Sequence, residues 1–401
     1  MSRRIQTKEL RIAKTQNNID KRLICIFLSA IMFRLVMYLL YFVIMAMFGE
    51  YTNGISFKDY LDGWNRWDSK HYLNLAELTY QGYIEDGEPL FLVYLPLYPW
   101  LMRLLNYLTH SYAIAGLLIS SVGYAIGLVY FDLVVRRHYD EEISNLAIIG
   151  LSVFPFSFFA GGIMTEGLFL ALSAAFLYYL ETKRYVLTTV LGFFACLTKL
   201  QGGFLAFVVL VYLLQENNWI TLIKNRDFKG FLKKIVIPGV RYIPMLLGIV
   251  VYLWLNYRVA GDPFKFMFYQ KTHWGHTVGP IWNTFKYCLE NYIGNKFAPI
   301  GYVLWLPQII MMLVGVFAIV YALRVNMRPH FLTYLIVFYL VTFSSTWLVS
   351  GGRYCISIWP LFLVEGIVLK RHPRLKMPVL GISLSLMMLF TVAYFKWMPI
   401  M

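Results

Sequence analysis

The sequence predicts an all-α integral membrane protein, a polytopic bundle of about eleven transmembrane helices with a long first outer loop carrying interfacial helices. Three observations predict it. Of the 401 residues, 59% are hydrophobic and only 14% are charged, where a soluble domain carries about 25% charged residues. Apolar stretches recur along the chain at lengths near the roughly 20 residues that cross a hydrocarbon core. The larger share of the 36 Lys and Arg residues falls in every second connection, which is the bias that orients membrane proteins.

In order, the apolar segments are 23–48, 112–135, 143–161, 164–180, 185–196, 204–214, 235–255, 300–323, 331–349, 355–369 and 378–395. The first is too long for a signal peptide and has no small-residue cleavage site, so it reads as a span behind a basic cytoplasmic tail, 1–22. Segment 90–108 is apolar too, but Pro96, Pro99 and Arg103 suit an interfacial or re-entrant helix. If it crossed, every later basic connection would face outward. The expected topology therefore has the N-terminus inside and the C-terminus outside, with 1–401 forming one membrane domain.

The net charge of +15 is accounted for by this topology, so nucleic acid is not an expected partner; the bilayer is. Four cysteines, Cys25, Cys196, Cys288 and Cys355, show no CxxC spacing, and neither a disulfide framework nor a zinc site is expected. His273 and His276 are three apart without a nearby carboxylate, so they read as hydrogen-bonding groups. No metal and no cofactor is expected.

Two connections on the outer side are long enough to hold function, 49–111 and 257–299, and loops on a rigid scaffold are where function concentrates. The first holds Glu50, Asp59, Asp62, Asp68, Glu77, Glu85, Asp86 and Glu88. Residues 67–80 predict an amphipathic helix, with Trp67, His71 and Leu75 four apart and Asp68, Tyr72 and Leu75 on a neighbouring stripe. Asp68 and His71 are three apart, so their side chains can meet. Glu77 lies half a turn round from Asp68 and cannot pair with it. Trp and Tyr belts explain most of the aromatics; an acid among them is costly at a membrane surface without a use. Asp68 is the leading catalytic candidate, with Asp62 second.

Three later positions carry charge into apolar context. Glu166 opens the fourth apolar segment after Gly161-Gly162. Lys199 divides two short apolar segments. Arg353 and Tyr354 follow Ser350-Gly351-Gly352. Paired glycines allow close backbone approach, and the guanidinium fork suits a phosphate. A carboxylate in the first loop with cations beside it suits sugar transfer from a lipid phosphate. The leaving group needs charge stabilisation rather than a proton, and one base for the acceptor hydroxyl suffices.

The sequence resembles the PIG-V-type mannosyltransferases and their bacterial relatives. The resemblance rests on Arg66-Trp67-Asp68-Ser69-Lys70-His71-Tyr72-Leu73 with Ala76, Tyr94-Leu95-Pro96-Leu97-Tyr98-Pro99, Phe154-Pro155-Phe156-Ser157, Thr165-Glu166-Gly167-Leu168-Phe169, Gly261-Asp262-Pro263, and Gln270 with Trp274-Gly275. It departs from the family at Lys199 and His276, where arginine is usual, and at Pro155-Phe156-Ser157. Membership implies the GT-C fold, a polyprenyl-phosphate-linked sugar donor, a lipid- or glycan-linked acceptor and a loop aspartate matching Asp68. The resemblance and the charge pattern together put Asp62, Arg66, Trp67, His71, Tyr72, Glu166, Lys199, Gln270, Trp274, Arg353 and Tyr354 at the substrate, in a bacterial cell membrane. The alternative is a lipid-linked sugar flippase, which predicts broken helices or charges near mid-membrane; Arg34 is such a charge.

Overall fold

The computed structural model describes residues 2–48 and 55–400, with side chains described for residues 20–47 and 55–400. Glu50 of the first loop and the side chains of most of the basic tail lie outside the described residues. The fold is all-helical; among the described residues the only β pairings are the isolated bridges Glu85–Glu88 and Val278–Ser345.

Among the described residues, five helical segments are long and apolar enough to cross a membrane: 20–47 within α1 (Ser2–Phe48), α5 (Tyr112–Val135), Phe228–Ala260, Gly301–Arg324 and Pro373–Phe395. A sixth candidate is a bent pair, Gly351–Ser357 and Pro360–Arg371, broken by 84°. The remaining expected spans map onto shorter helices: α6 (Glu141–Val153), α7 (Glu166–Glu181), α8 (Tyr185–Thr198), Leu200–Glu216 and Pro329–Phe343. Eleven apolar segments are therefore helical, but only about half have full spanning length. Between 143 and 161 the helix stops at Val153, and Ser157–Ala160 is a separate 3₁₀ turn.

Apolar exposure follows lipid. Only 17% of the apolar window of α1 is buried inside the protein, against 61% for α5, so α1 turns most of its surface to lipid while α5 is the central post. In α7, a Cβ at Gly167 would stand 2.2 Å from the Ser120 carbonyl oxygen of α5, and glycine permits that approach. Beside this crossing, Ser120 donates to the Met164 carbonyl at 2.9 Å and Tyr98 donates to the Gly116 carbonyl at 2.9 Å.

The first loop is built of short helices. In α2 (Phe57–Asp62) a Ser56–Asp59 capping box closes the N-terminus, satisfying donors that no helical carbonyl reaches. Next comes α3 (Asp68–Gly82), then α4 (Leu97–Thr109). With 13 residues, α4 is roughly 20 Å long, short of a hydrocarbon core of about 30 Å. It buries Tyr98 and Met102 and exposes Leu104, Tyr107 and Leu108, as an interfacial helix does.

Candidate active site

The helix bearing Asp68 starts one residue later than its periodicity suggests. Trp67 takes φ 52°, ψ −124°, a conformation costly for a bulky residue and often held at functional sites. It turns the chain abruptly, so the residues before and after it face different ways. Asp68 becomes the first residue of α3 and points into the protein.

There it meets Arg353. The arginine Nη2 donates to Asp68 Oδ2 at 2.6 Å, and the Tyr94 hydroxyl donates to Asp68 Oδ1 at 2.9 Å. Arg353 sits in the short arm of the bent pair, and the 84° break ahead of Pro360 holds that arm across the end of the bundle. Its Nε lies 3.4 Å from Glu166 Oε1, the first residue of α7. Lys199, at the break between α8 and the next helical turn, donates to the same Glu166 oxygen at 2.9 Å and to the Ser357 hydroxyl at 3.1 Å.

Asp68, Arg353, Glu166 and Lys199 thus alternate in sign along one connected chain. Their charges sum to zero, which is how ions survive burial. Exposure is uneven. The side chains of Arg353, Glu166 and Lys199 are 4%, 2% and 8% exposed, whereas Asp68 is 30% exposed. Asp68 is the member that an incoming molecule can reach. Burial raises the Asp68 carboxyl, but the charge and hydrogen bond of Arg353 and the Tyr94 hydroxyl outweigh it and hold the group below the usual carboxylate range. Glu166 Oε2 is buried without a hydrogen-bond partner among the described residues.

Around this chain the aromatics form walls. Tyr72 packs edge-on to Tyr94 and Tyr98 at 5.0 and 5.1 Å. The Tyr354 ring lies 5.2 Å from Lys199 Nζ, and its hydroxyl accepts from Arg353 at 3.3 Å. His71 does not pair with Asp68 by a hydrogen bond. Its Nδ1 shares a hydrogen bond of 3.0 Å with the Tyr83 hydroxyl, and its ring stacks on Phe91 at 4.3 Å. Burial lowers the His71 imidazole, with the Asp68 charge opposing.

Other expected residues are placed apart. Asp62 is exposed at the end of α2, outside the charged chain. Arg66 stacks over Trp397 at 3.9 Å and donates to the Gly63 carbonyl, and Trp67 meets Trp397 edge-on at 6.2 Å. The second long loop leans on the first: Trp274 meets Phe91 at 6.3 Å, and Tyr269 donates to Glu88 at 2.6 Å. Gln270 lies on that loop's helix, Lys265–Thr272, where its carbonyl accepts from the His276 N–H at 2.8 Å. That helix ends before His273, so His273 and His276 do not share a helix face. Tyr94 and Ser357 are the partners that sequence reasoning missed. A tyrosine is one of 30 in this chain, and nothing local marks the one that reaches Asp68.

No protein-family model matches the sequence, and no curated protein matches it. The structure is similar to the crystal structure of ArnT from Cupriavidus metallidurans in the apo state, with a TM-score of 0.54 at 15% sequence identity, over 92% of this chain and 76% of that one. The chain has the GT-C-type fold. Within that fold, the charged chain sits where the first long loop, the start of α7 and the bent pair converge.

Proposed function

We propose that this chain is a membrane glycosyltransferase. It moves a hexose, mannose by the family resemblance, from a polyprenyl-phosphate-linked donor to a hydroxyl of a lipid- or glycan-linked acceptor at the outer face of a bacterial cell membrane. The observation that carries the reading is the position of Asp68: the reachable end of a buried charge chain, 2.6 Å from an arginine. The GT-C-type fold and the PIG-V-like motifs support the same reading.

The donor phosphate takes Arg353, with Lys199 behind it, as its counter-charges. Arg353 offers a planar donor fork, and turning it toward phosphate releases Asp68 Oδ2. The acceptor hydroxyl then attacks the anomeric carbon. The new C–O bond forms as the C–O bond to phosphate breaks, the electron pair leaves with the phosphate, and the hydroxyl proton passes to Asp68. One displacement inverts the anomeric centre. Tyr72 and Tyr354 supply aromatic surface for the sugar and acceptor, with His71, Gln270 and Trp274 on the two long loops beyond them; Asp62, Arg66 and Trp67 lie apart from the charged chain.

Two features speak for the flippase alternative: the 84° break in a candidate span, as transporters carry at their sites, and Arg34, buried over the Tyr124 ring at 3.8 Å with no hydrogen-bond partner on its guanidinium nitrogens among the described residues. Purified protein in liposomes with polyprenyl-phosphate mannose and an acceptor separates the readings. Glycosyl product supports transfer; movement of the intact donor across the bilayer without product overturns it.

A further inference from the structure

At the end of α7 opposite Glu166 lies a second buried cluster that plays no part in sugar transfer. Glu181 closes α7, His138 lies in the turn just past α5, and His330 is the second residue of the Pro329–Phe343 helix. Both imidazoles present Nε2 to the same oxygen, Glu181 Oε1, each at 2.8 Å. The side chains are 12%, 3% and 1% exposed for His138, Glu181 and His330. One ligand atom from each residue falls within 4.8 Å of the others.

The hydrogen bonding behind His330 calls for positive charge between Nε2 and Glu181. Its Nδ1 faces Gln215 Oε1 at 3.3 Å. With the amide oxygen accepting, Nδ1 carries the proton, and a neutral ring then turns the Nε2 lone pair toward a carboxylate oxygen. A second ring proton or a metal ion between them removes that conflict, and a ring N–H donated to a carbonyl oxygen is the usual outer-shell support of a metal-bound histidine. Arg137 donates to Glu181 Oε2 at 2.7 Å, leaving Oε1 as a single ligand atom. The Phe331 and Tyr212 rings pack on His330 at 4.3 and 5.6 Å and hold its ring in place.

We propose that His138, Glu181 and His330 bind one transition-metal ion of the zinc class, fastening the inner ends of α5, α7 and the Pro329–Phe343 helix. Two imidazoles and one carboxylate suit Zn²⁺ with a fourth position for water, and imidazole nitrogen disfavours Mg²⁺ and Ca²⁺. Zinc bonds of about 2.0–2.1 Å separate ligand atoms by roughly 3.3 Å, so ligation asks the rings to retreat by about half an ångström. The site lies at the far end of α7 from Glu166, fifteen residues and roughly 22 Å away.

The test uses the full chain in detergent, stripped with a chelator and dialysed against Zn²⁺. The expected result is one zinc per chain by elemental analysis and a higher melting temperature, as follows for a ligand of the folded state alone. His138→Ala and His330→Ala each weaken retention at least about tenfold, while His273→Ala with His276→Ala retains it. Wild-type protein that stays folded yet holds less than about a tenth of an equivalent overturns the proposal, and leaves a carboxylate shared by hydrogen bonds. So does zinc that survives both single histidine changes. Should those variants not fold, Co²⁺ on the wild type decides: visible bands of a tetrahedral N/O site support the clamp, and their absence overturns it.

Discussion

Arg353 and Asp68 are 285 residues apart in sequence, yet the guanidinium Nη2 lies 2.6 Å from the carboxylate Oδ2. Through its Nε the same guanidinium approaches Glu166, 3.4 Å away. Arg353 therefore touches both acids of the site, and under the proposed function a donor phosphate draws it from one of them.

Changing Arg353 should be costly even when charge is kept. Arg353→Lys retains the cation but cannot hold Asp68 and Glu166 with one planar fork. Removing one donor to developing charge costs on the order of 10²–10³ in turnover, and we expect a loss in that range in kcat/KM. Steady-state kinetics with polyprenyl-phosphate mannose checks it; activity within a few-fold of wild type contradicts the phosphate role.

Asp68 sets the pH behaviour. Its folded carboxyl is held below the ordinary value near 3.9, so it is ionised throughout the neutral range. The acid limb of kcat/KM should lie below that ordinary value, and Tyr94→Phe, by removing a donor to the charged form, should move the limb upward and lower turnover about tenfold. The sign for stability follows. A depressed folded value contributes stability that is present above the unfolded value and lost as pH falls through the folded one. Asp68→Asn should therefore lower the melting temperature at pH 7, and the difference should shrink as the pH is taken below about 4.

Lys199 and Glu166 form a buried pair at 2.9 Å. Deleting one partner of an isolated buried pair costs about 3–5 kcal/mol because the other charge is left uncompensated; here Arg353, 3.4 Å from Glu166, offsets part of that cost. Lys199→Met should melt far earlier than wild type, Lys199→Met with Glu166→Gln should recover part of the loss, and Lys199→Arg should be the mildest of the three. A thermal series in detergent orders them; equal melting of the single and double variants contradicts the pairing.

Composition and hydropathy were enough for the fold class, because lipid-facing helices must be apolar whatever their partners. Span number was less legible. Segments such as 143–161 are apolar enough, but Phe154-Pro155 ends the helix at Val153 and the chain turns instead. Asp68, Glu166, Lys199 and Arg353 were all legible, since a charge set in apolar sequence is expensive and stands out. Asp62 and Arg66 looked like their equals from proximity to Asp68; the reversal at Trp67 sends them elsewhere. The link from His71 to Tyr83 rather than Asp68 depends on where 83 and 91 fold back, which periodicity does not encode. His138, Glu181 and His330 lie far apart in sequence with no local pattern to link them, and only packing brings them together.

The most direct test of the account is glycosyl transfer from polyprenyl-phosphate mannose by wild-type protein and Asp68→Asn, both checked for folding by size exclusion. The account predicts an inverted glycosidic product from the wild type and a loss of about 10²–10⁴-fold in the folded variant, the range for removing a general base. Full activity of Asp68→Asn, or a product with retained configuration, would contradict it.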